Sequence, residues 1–248
     1  AARERHHRVA ILQHHVFASA HVFDDAQLAE TAVLPFQLSH EVRDDPNDLA
    51  RGGECAVRER SHGSQAATAV YQGNSFPGKS LPEIERCLDI NLKGVLFGAQ
   101  AAHPYLKKSA PGSCLLNTAS AAGIYGTPGA SVYSATKFGV RALTESLDGE
   151  WAEDGINVRS LMPGFIETPL LDHNPNARSN EGIRQRVTEA GLEITPVREV
   201  AAAAWSAVHG EKLHTTVGKT AKTMAFAARW LPGRVRKQTR ASARPMGR

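Results

Sequence analysis

Helices and strands alternate regularly between residues 80 and 164, and this alternation constrains the fold of the chain more than any other feature. Residues 81–108, LPEIERCLDINLKGVLFGAQAAHPYLKK, have apolar positions at helical spacing, and the short apolar run SCLLNTAS after them is typical of a strand buried in a parallel sheet. A second helix is predicted from Ser131 to about Glu153, and a second strand in INVRSLMPG. This order predicts an α/β fold with a doubly wound parallel sheet.

Both predicted helices are amphipathic. The apolar side of the first consists of Ile84, Leu88, Leu92, Val95 and Leu96. That of the second consists of Val140, Leu143, Leu147 and Trp151, and Gly155 after Asp154 fits its C-terminal cap. The segment AAGIYGTPGA between the first strand and the second helix is predicted to be a loop, because it holds three glycines and a proline.

The motif YSATK carries the strongest chemical signal, because it places Tyr133 and Lys137 four residues apart on one face of the second helix. An ammonium close to a phenol favours the phenolate and lowers the pKa of the tyrosine from its usual value of about 10. Such a tyrosine can exchange a proton near neutral pH. Ser120, thirteen residues earlier, adds a hydroxyl that can hold a carbonyl or alcohol oxygen.

The predicted strands end at the same edge of the sheet. Ser120 closes the first strand, and Pro163 and Gly164 follow the second. Ligands of such sheets bind in the crevice beyond the carboxyl ends of the strands. Tyr133 and Lys137 begin the helix after the first strand, so we expect all these groups to lie around one crevice.

Four motifs follow one another between residues 91 and 169: Asn91 in DINLKGV, Ser120 in NTASAAG, Tyr133 and Lys137 in YSATK, and PGFIETP. A lone YxxxK is common by chance, whereas four motifs in order are specific. In these motifs and the gaps between them, residues 78 to about 225 resemble the short-chain dehydrogenase/reductase family. The resemblance implies a Rossmann-like sheet and an oxidoreductase that interconverts a secondary alcohol and a carbonyl compound by hydride transfer.

The resemblance also implies roles for the catalytic residues. Tyr133 would be the general acid or base at the substrate oxygen, and Lys137 would lower its pKa. Ser120 would hold the substrate oxygen. Asn91 would bind, through its backbone, a water that extends a proton relay to solvent. An asparagine is a poor residue for a helix interior, so a special role would account for its position.

The implied cofactor is NAD or NADP, and the family pattern points to a set of residues around its nicotinamide end. Tyr133 and Lys137 would contact the nicotinamide ribose, and the backbone after Pro163 and Gly164, near Ile166, would contact the carboxamide. Thr168 would bond nearby, although a Thr-Pro pair is also a common turn. The resemblance further implies a small alcohol or carbonyl substrate and a homodimer or homotetramer.

The N-terminal segment departs from the family pattern. Residues 1–72 hold seven of the eleven histidines, and the first glycine is Gly52, so the glycine-rich TGxxxGIG turn that would receive the pyrophosphate is not found. RVAIL and HHVFASAHVF are candidate strands, and DDAQLAETAV is a candidate short helix. We predict one Rossmann-like domain over residues 1–248, with a truncated or atypical N-terminal βαβ part (1–75), a catalytic half (76–228) and a basic tail (229–248). A shifted reading frame upstream of residue 75 is one hypothesis for the first part.

Charge and composition limit the kinds of partner that the chain is expected to bind. The net charge is +4, but Arg229 to Arg248 holds seven basic residues and no acidic one, so the remainder is mildly acidic and a nucleic-acid-binding body is disfavoured. The tail is expected to be solvated and poorly ordered. Alternatively, it touches an anionic membrane surface together with the segment KTAKTMAFAARWLPGRVRK. That segment could equally dock over the substrate pocket. No signal peptide is apparent, the three cysteines are scattered, and the adjacent histidine pairs lack metal-site spacing, which together predict a cytoplasmic protein without a metal.

Two functions therefore remain open. The first is an NAD(P)-dependent oxidoreductase with Tyr133 as general acid or base. The second is a non-catalytic binding or scaffold protein that has kept the fold without a working phosphate-binding loop. The presence of Asn91, Ser120, Tyr133 and Lys137 together favours the first.

Overall fold

The computed structural model describes residues 9–12, 76–172 and 182–242. The described helices, labelled here in chain order, are α1 (Leu81–Leu88), α2 (Gly94–Ser109), α3 (Ser131–Glu150), α4 (Ile183–Glu189), α5 (Val197–His209), α6 (Gly218–Trp230) and α7 (Pro232–Ser242). A π-helical turn, Asp89–Lys93, joins α1 to α2, and short 3-10 turns lie at Phe76–Gly78, Ala121–Gly123 and Pro169–Asp172.

The main sheet among these residues has four parallel strands. They are β1 (Val9–Leu12), β2 (Cys114–Thr118), β3 (Asn157–Pro163) and β6 (His214–Val217), and they lie in that spatial order. Thr118, the last residue of β2, pairs with Leu161 of β3, and β3 continues to Pro163 at the same edge of the sheet. A two-stranded parallel pair, β4 (Phe165–Ile166) and β5 (Ile194–Thr195), lies beyond that edge.

Helices cover both faces of the sheet. Leu115 of β2 packs in a core with Val95 and Ala99 of α2 and Val140 of α3. The next residue, Leu116, points to the other face and packs with Val200 of α5. Successive residues of a strand alternate between faces, and an apolar residue at both positions is what a sheet covered on both sides requires.

The predicted α/β class and doubly wound parallel sheet are confirmed. The strands predicted in SCLLNTAS, INVRSLMPG and RVAIL are present as β2, β3 and β1. The other elements predicted in the N-terminal segment, HHVFASAHVF and DDAQLAETAV, lie outside the described residues. The domain division and the reading-frame hypothesis stay predictions.

Four details of the predicted helices are wrong. The first helix is interrupted by the π-helical turn, and Leu96 is 41% exposed although its spacing placed it on the apolar side. The second helix ends at Glu150 rather than near Glu153. Gly155 does not cap it; this glycine lies in the following turn with φ of 70°, where its Cα faces Pro111.

The basic tail was expected to be poorly ordered, and that expectation is wrong as far as Ser242. Helix α7 occupies Pro232–Ser242, and buried Val235 holds it against the rest of the protein. None of the described helices combines the length and the apolar composition that crossing a bilayer demands.

Candidate functional site

Ser120 lies just beyond the carboxyl end of β2. The backbone N–H of Ala119 still donates to Leu161 O of β3 at 2.8 Å, which keeps the chain in register with the sheet up to this point. Ser120 is extended (φ −173°, ψ 163°) and caps the 3-10 turn Ala121–Gly123, with its Oγ accepting from the Ala122 N–H at 3.2 Å. The hydroxyl proton of Ser120 is not used by this contact and can be donated to a ligand oxygen.

Tyr133 and Lys137 are the third and seventh residues of α3 and share one face of it. The Lys137 Nζ lies 5.7 Å from the centre of the Tyr133 ring. Tyr133 is half-buried, whereas Lys137 is 1% exposed and its Nζ donates to the Thr118 carbonyl at 3.0 Å. The lysine therefore links the helix of Tyr133 to the strand that leads to Ser120.

Burial lowers the pKa of Lys137 from 10.5 to about 7, and the nearby Cys87 opposes this shift only in part. The cause is the loss of hydration of the ammonium, for which one carbonyl contact is weak compensation. A lysine with this pKa takes up and releases protons close to neutral pH. Protonation or deprotonation of Lys137 therefore changes the charge beside Tyr133 at little cost in free energy near neutral pH.

Asn91 lies at the centre of the π-helical turn and is completely buried. Its Nδ2 donates to the Cys87 Sγ at 3.3 Å, while its Oδ1 has no hydrogen-bond partner among the described residues. A buried amide oxygen without a partner is costly unless a water or another group satisfies it. π-helical turns occur frequently at functional sites. The role of Asn91 stays a prediction.

Cys87 was not singled out in the sequence, yet it contacts the site. It is buried, it accepts the hydrogen bond from Asn91, and it lies close to Lys137. Burial raises the pKa of the Cys87 thiol, so it stays protonated near neutral pH. The signal that could have identified it is its spacing of four from Asn91, which places both side chains on one helix face.

The loop after β3 lies at the same edge of the sheet. Pro163 is the last residue of β3, and the Gly164 N–H donates to Val217 O of β6 at 3.2 Å. Ile166 is half-buried in β4. The Thr168 Oγ1 donates to Ile166 O at 3.4 Å, a long bond that fits the turn-residue interpretation of the Thr-Pro pair. The structure thus brings the loop beside Ser120, across the paired ends of β2 and β3.

Gly123 joins the serine turn to the tyrosine helix. A Cβ at this position would lie 2.7 Å from the Lys137 carbonyl oxygen and 3.0 Å from its carbonyl carbon. We expect Gly123→Ala to destabilise the protein by about 1–3 kcal/mol in urea unfolding, because the backbone of the turn or of α3 has to move. The same displacement separates Ser120 from Tyr133, so turnover falls as well.

Gly126→Ala is the matched control for this prediction. Gly126 belongs to the same loop, and a Cβ there would meet nothing within 4 Å. Its free energy of unfolding is expected to change by less than about 0.5 kcal/mol. Equal effects of the two substitutions would contradict the close packing of Gly123 on α3.

The residues at this edge fit the nicotinamide end of a dinucleotide in their chemistry. A charged lysine carries three N–H donors, of which the contact to Thr118 uses one, and the half-buried phenol of Tyr133 adds a donor and acceptor. The segment from the end of β3 to β4 adds backbone groups at the same edge. The residues that follow Leu12 of β1 lie outside those that the structure describes.

Comparison with known proteins gives a consistent result. Residues 66–179 match the family model described as short chain dehydrogenase. The chain is 41% identical over 92 residues to a diacetyl reductase, (S)-acetoin forming, of Staphylococcus aureus, which covers 37% of this chain and 36% of that protein. It is 42% identical over 96 residues to a 3-alpha-(or 20-beta)-hydroxysteroid dehydrogenase of Mycobacterium bovis, which covers 39% and 36%. The matched segments thus span little more than a third of either relative.

The fold is shared with solved structures over a larger part of the chain. A short chain dehydrogenase from Burkholderia cenocepacia in complex with NADP superposes with a TM-score of 0.57 at 20% sequence identity, covering 69% of this chain and 65% of that one. At this identity the likeness concerns the fold. It agrees with the parallel sheet and the two helical layers described above.

Proposed function

Because the chain belongs to the short-chain dehydrogenase/reductase family, we propose that it is an NAD(P)-dependent oxidoreductase that interconverts a secondary alcohol and a carbonyl compound. One observation carries the proposal. The half-buried Tyr133 and the buried amine of Lys137 lie on one face of α3, with the Nζ 5.7 Å from the ring centre, beside the turn that begins at Ser120. This arrangement supports proton exchange with an oxygen held between the two hydroxyl groups.

Tyr133 exchanges the proton in the proposed reaction. In the reductive direction its O–H gives the proton to the carbonyl oxygen of the substrate, and in the oxidative direction the phenolate takes it from the alcohol. The Ser120 hydroxyl donates to the same oxygen and fixes its position. When bound, the nicotinamide supplies or accepts the hydride at the neighbouring carbon, so that the two-electron change is complete.

Lys137 stabilises the phenolate that remains when Tyr133 has given up its proton. The positive charge lies close to the ring, in surroundings from which water is largely excluded, so its effect is larger than in bulk solvent. Asn91, in the π-helical turn, is the proposed holder of a water through its backbone, and the Cys87 contact fixes its side chain. Tyr133, Lys137, Asn91 and a water together form the proposed proton relay.

The proposed cofactor is NAD or NADP, held at its nicotinamide end by the residues named above. Tyr133 and Lys137 bind the ribose; Pro163, Gly164 and Ile166 offer backbone groups to the carboxamide, and Thr168 bonds nearby. The relatives named diacetyl reductase and hydroxysteroid dehydrogenase support a small alcohol or carbonyl substrate. We propose no nucleic-acid substrate.

The direct test is a reduction assay. The purified protein is incubated with NADH or NADPH and a panel of ketones and diketones, and loss of the reduced nicotinamide is followed by absorbance. We expect turnover with at least one carbonyl compound, and formation of the matching alcohol. Loss of nicotinamide absorbance without alcohol product would contradict the proposal.

A homodimer or homotetramer in the cytoplasm is part of the same proposal. Its support is an apolar surface on α2, in which Leu96 is 41%, Phe97 59% and Tyr105 52% exposed. Leu96 and Phe97 line a groove between α2 and α3 together with Leu143 and Trp151. Large apolar side chains clustered in this way are typical of subunit interfaces.

Phe97→Asp is therefore expected to break the oligomer. Burying a carboxylate without a partner in an apolar interface costs several kcal/mol, enough to raise the dissociation constant more than about a hundredfold. Analytical ultracentrifugation measures the change. Leu81→Asp serves as control, because Leu81 is 74% exposed and lies outside the groove. If Phe97→Asp sediments like the unchanged protein, this groove is not the interface.

A second candidate is a non-catalytic binding or scaffold protein. One feature of the sequence favours it: a TGxxxGIG-type turn occurs nowhere in the 248 residues. The reduction assay distinguishes the two, because the scaffold has the fold but no turnover with any carbonyl compound.

A further inference from the structure

One face of α6 is exposed and combines aromatic side chains with cations. Phe226 is 60% and Trp230 63% exposed. Their neighbours on this face, at helical spacing, are Lys219, Lys222, Thr223 and Arg229, all exposed. The opposite face, with Ala221 buried, packs against the rest of the protein. The exposed aromatics are thus not part of the core, although exposure of two such rings on one helix face is unfavourable in water.

The charged side chains that α6 and α7 themselves carry are all basic. The last acidic residue in sequence is Glu211, and ten lysines and arginines follow it. The Arg229 guanidinium lies 5.3 Å from the centre of the Trp230 ring, so cation and aromatic surface are directly adjacent. The Glu193 carboxylate accepts from the Lys219 N–H at the start of α6, so the purely cationic part of the surface is the later part of α6 and α7.

Helix α7 extends this basic surface on a fixed support. Val235 is 6% exposed, and the Arg234 and Val235 N–H groups donate to Leu231 O at 3.0 and 3.1 Å. With Val235 turned inward, the basic residues of α7 are left exposed: Arg234, Arg236, Lys237 and Arg240. Leu231, between the two helices, is itself 38% exposed. The surface formed by α6 and α7 is thus a helical corner, apolar at Phe226, Trp230 and Leu231 and cationic around them.

We propose that this corner, formed by α6 and α7, docks the protein onto a membrane surface that carries anionic lipid headgroups. Phe226, Trp230 and Leu231 insert at the boundary between headgroups and acyl chains, as amphipathic aromatics do. The surrounding lysines and arginines bind the lipid phosphates, and their long apolar stems lie along the bilayer surface.

The mixture of groups favours a bilayer over other anionic partners. A nucleic acid would bind the cations and could stack bases on the two aromatic rings, but it would leave the exposed Leu231 uncovered. A second copy of the chain would bring the seven cations of α6 and α7 close to seven others, which repel. A bilayer accommodates both the cations and the apolar side chains of this corner, since its anionic headgroups lie directly above an apolar layer. This proposal is independent of the proposed enzymatic activity.

Vesicle co-sedimentation tests the proposal. The full chain is mixed with vesicles of phosphatidylglycerol and phosphatidylcholine in equal parts, or of phosphatidylcholine alone. We expect binding to the anionic vesicles that is at least about tenfold tighter, and that weakens as salt rises from low to above physiological concentration. Equal binding to both vesicles, or no binding to either at low salt, would overturn the proposal.

Two variants separate the apolar from the cationic contribution. Phe226→Ala with Trp230→Ala is expected to weaken vesicle binding about tenfold or more, because the inserted surface is lost. Arg236→Glu with Lys237→Glu is expected to weaken it at least as much, since each cation near an anionic surface contributes a factor of about five. Trp205→Ala is the control, because Trp205 is also exposed, at 39%, but lies on α5.

Competing occupants of this surface give different results in the same experiments. If single-stranded DNA binds as tightly as anionic vesicles, and the aromatic variant keeps that affinity, the surface is a general polyanion site and membrane docking is wrong. If the aromatic variant changes the oligomeric state in ultracentrifugation and leaves vesicle binding unchanged, the surface is an interface between copies. All substituted residues are exposed, and circular dichroism verifies that each variant is folded.

Discussion

Turnover of a Tyr133→Phe variant is expected to fall about a thousandfold, while its affinity for the nicotinamide cofactor falls by less than about tenfold, the cost of one lost hydrogen bond to the ribose. General acid–base catalysis by a positioned side chain accelerates a reaction by about 10² to 10⁴. The substitution removes only the oxygen that exchanges the proton. The ring remains, half-buried on α3, so the packing around Lys137 is kept.

Steady-state kinetics and a binding titration of the same preparation measure the two quantities. A Tyr125→Phe variant is the control, because Tyr125 lies in the neighbouring loop without an assigned role. Turnover of the Tyr133 variant above about a tenth of the original value would contradict the role assigned to the phenol. A loss of cofactor affinity equal to the loss of turnover would instead assign Tyr133 to binding.

Replacing Lys137 by Met is expected to abolish most turnover and, in addition, to change how stability depends on pH. The folded protein holds the pKa of Lys137 at about 7, below its value of 10.5 in the unfolded chain. Between these values the unfolded chain binds more protons, so this group makes the protein more stable as pH rises from 7 towards 10.5. Below about pH 7 the full cost of burying the ammonium is present. Lys137→Met removes this dependence, because methionine has similar size and no charge.

Urea unfolding from about pH 6 to about pH 9 measures this effect as the difference in the free energy of unfolding between the unchanged protein and Lys137→Met. Over the two units above pH 7 the unchanged protein is expected to gain roughly 2 kcal/mol relative to the variant. The range ends there because burial raises the pKa of Cys114 to about 12, and that thiol makes an opposite contribution at higher pH. Lys108→Met, at an exposed position on α2, is the control. Parallel pH profiles for the unchanged protein and Lys137→Met would contradict the burial of a titrating amine.

The sequence allowed the sheet and the position of the proton-exchanging residues to be predicted, because both depend on local periodicity and spacing. β2 and β3 are apolar runs bounded by turn residues, and their parallel pairing brings Ser120 and Pro163 to the same edge. The spacing of four between Tyr133 and Lys137 fixes their common face on α3. The roles of these residues remain proposals.

Tertiary contacts account for what the sequence did not predict. The π-helical turn at Asn91 leaves the apolar spacing of the segment almost unchanged, so periodicity alone does not distinguish it from a regular helix. Leu96 has the spacing of a core residue, but its side of α2 is exposed in the single chain. A lysine on a helix face is ordinarily solvated, and only the packing of α3 against the strand explains why Lys137 is buried. Helix α7 depends on the burial of one residue, Val235, within a basic segment.

A titration with NADH and with NADPH, followed by the fluorescence of the bound nicotinamide, shows directly whether the protein binds the dinucleotide. The arrangement of Tyr133, Lys137 and the loop after β3 predicts saturable binding of NADH or NADPH at micromolar concentration. Lys137→Met is expected to weaken this binding about tenfold or more, because a charged hydrogen bond is lost. Binding of neither cofactor at millimolar concentration would contradict the account and favour the non-catalytic protein.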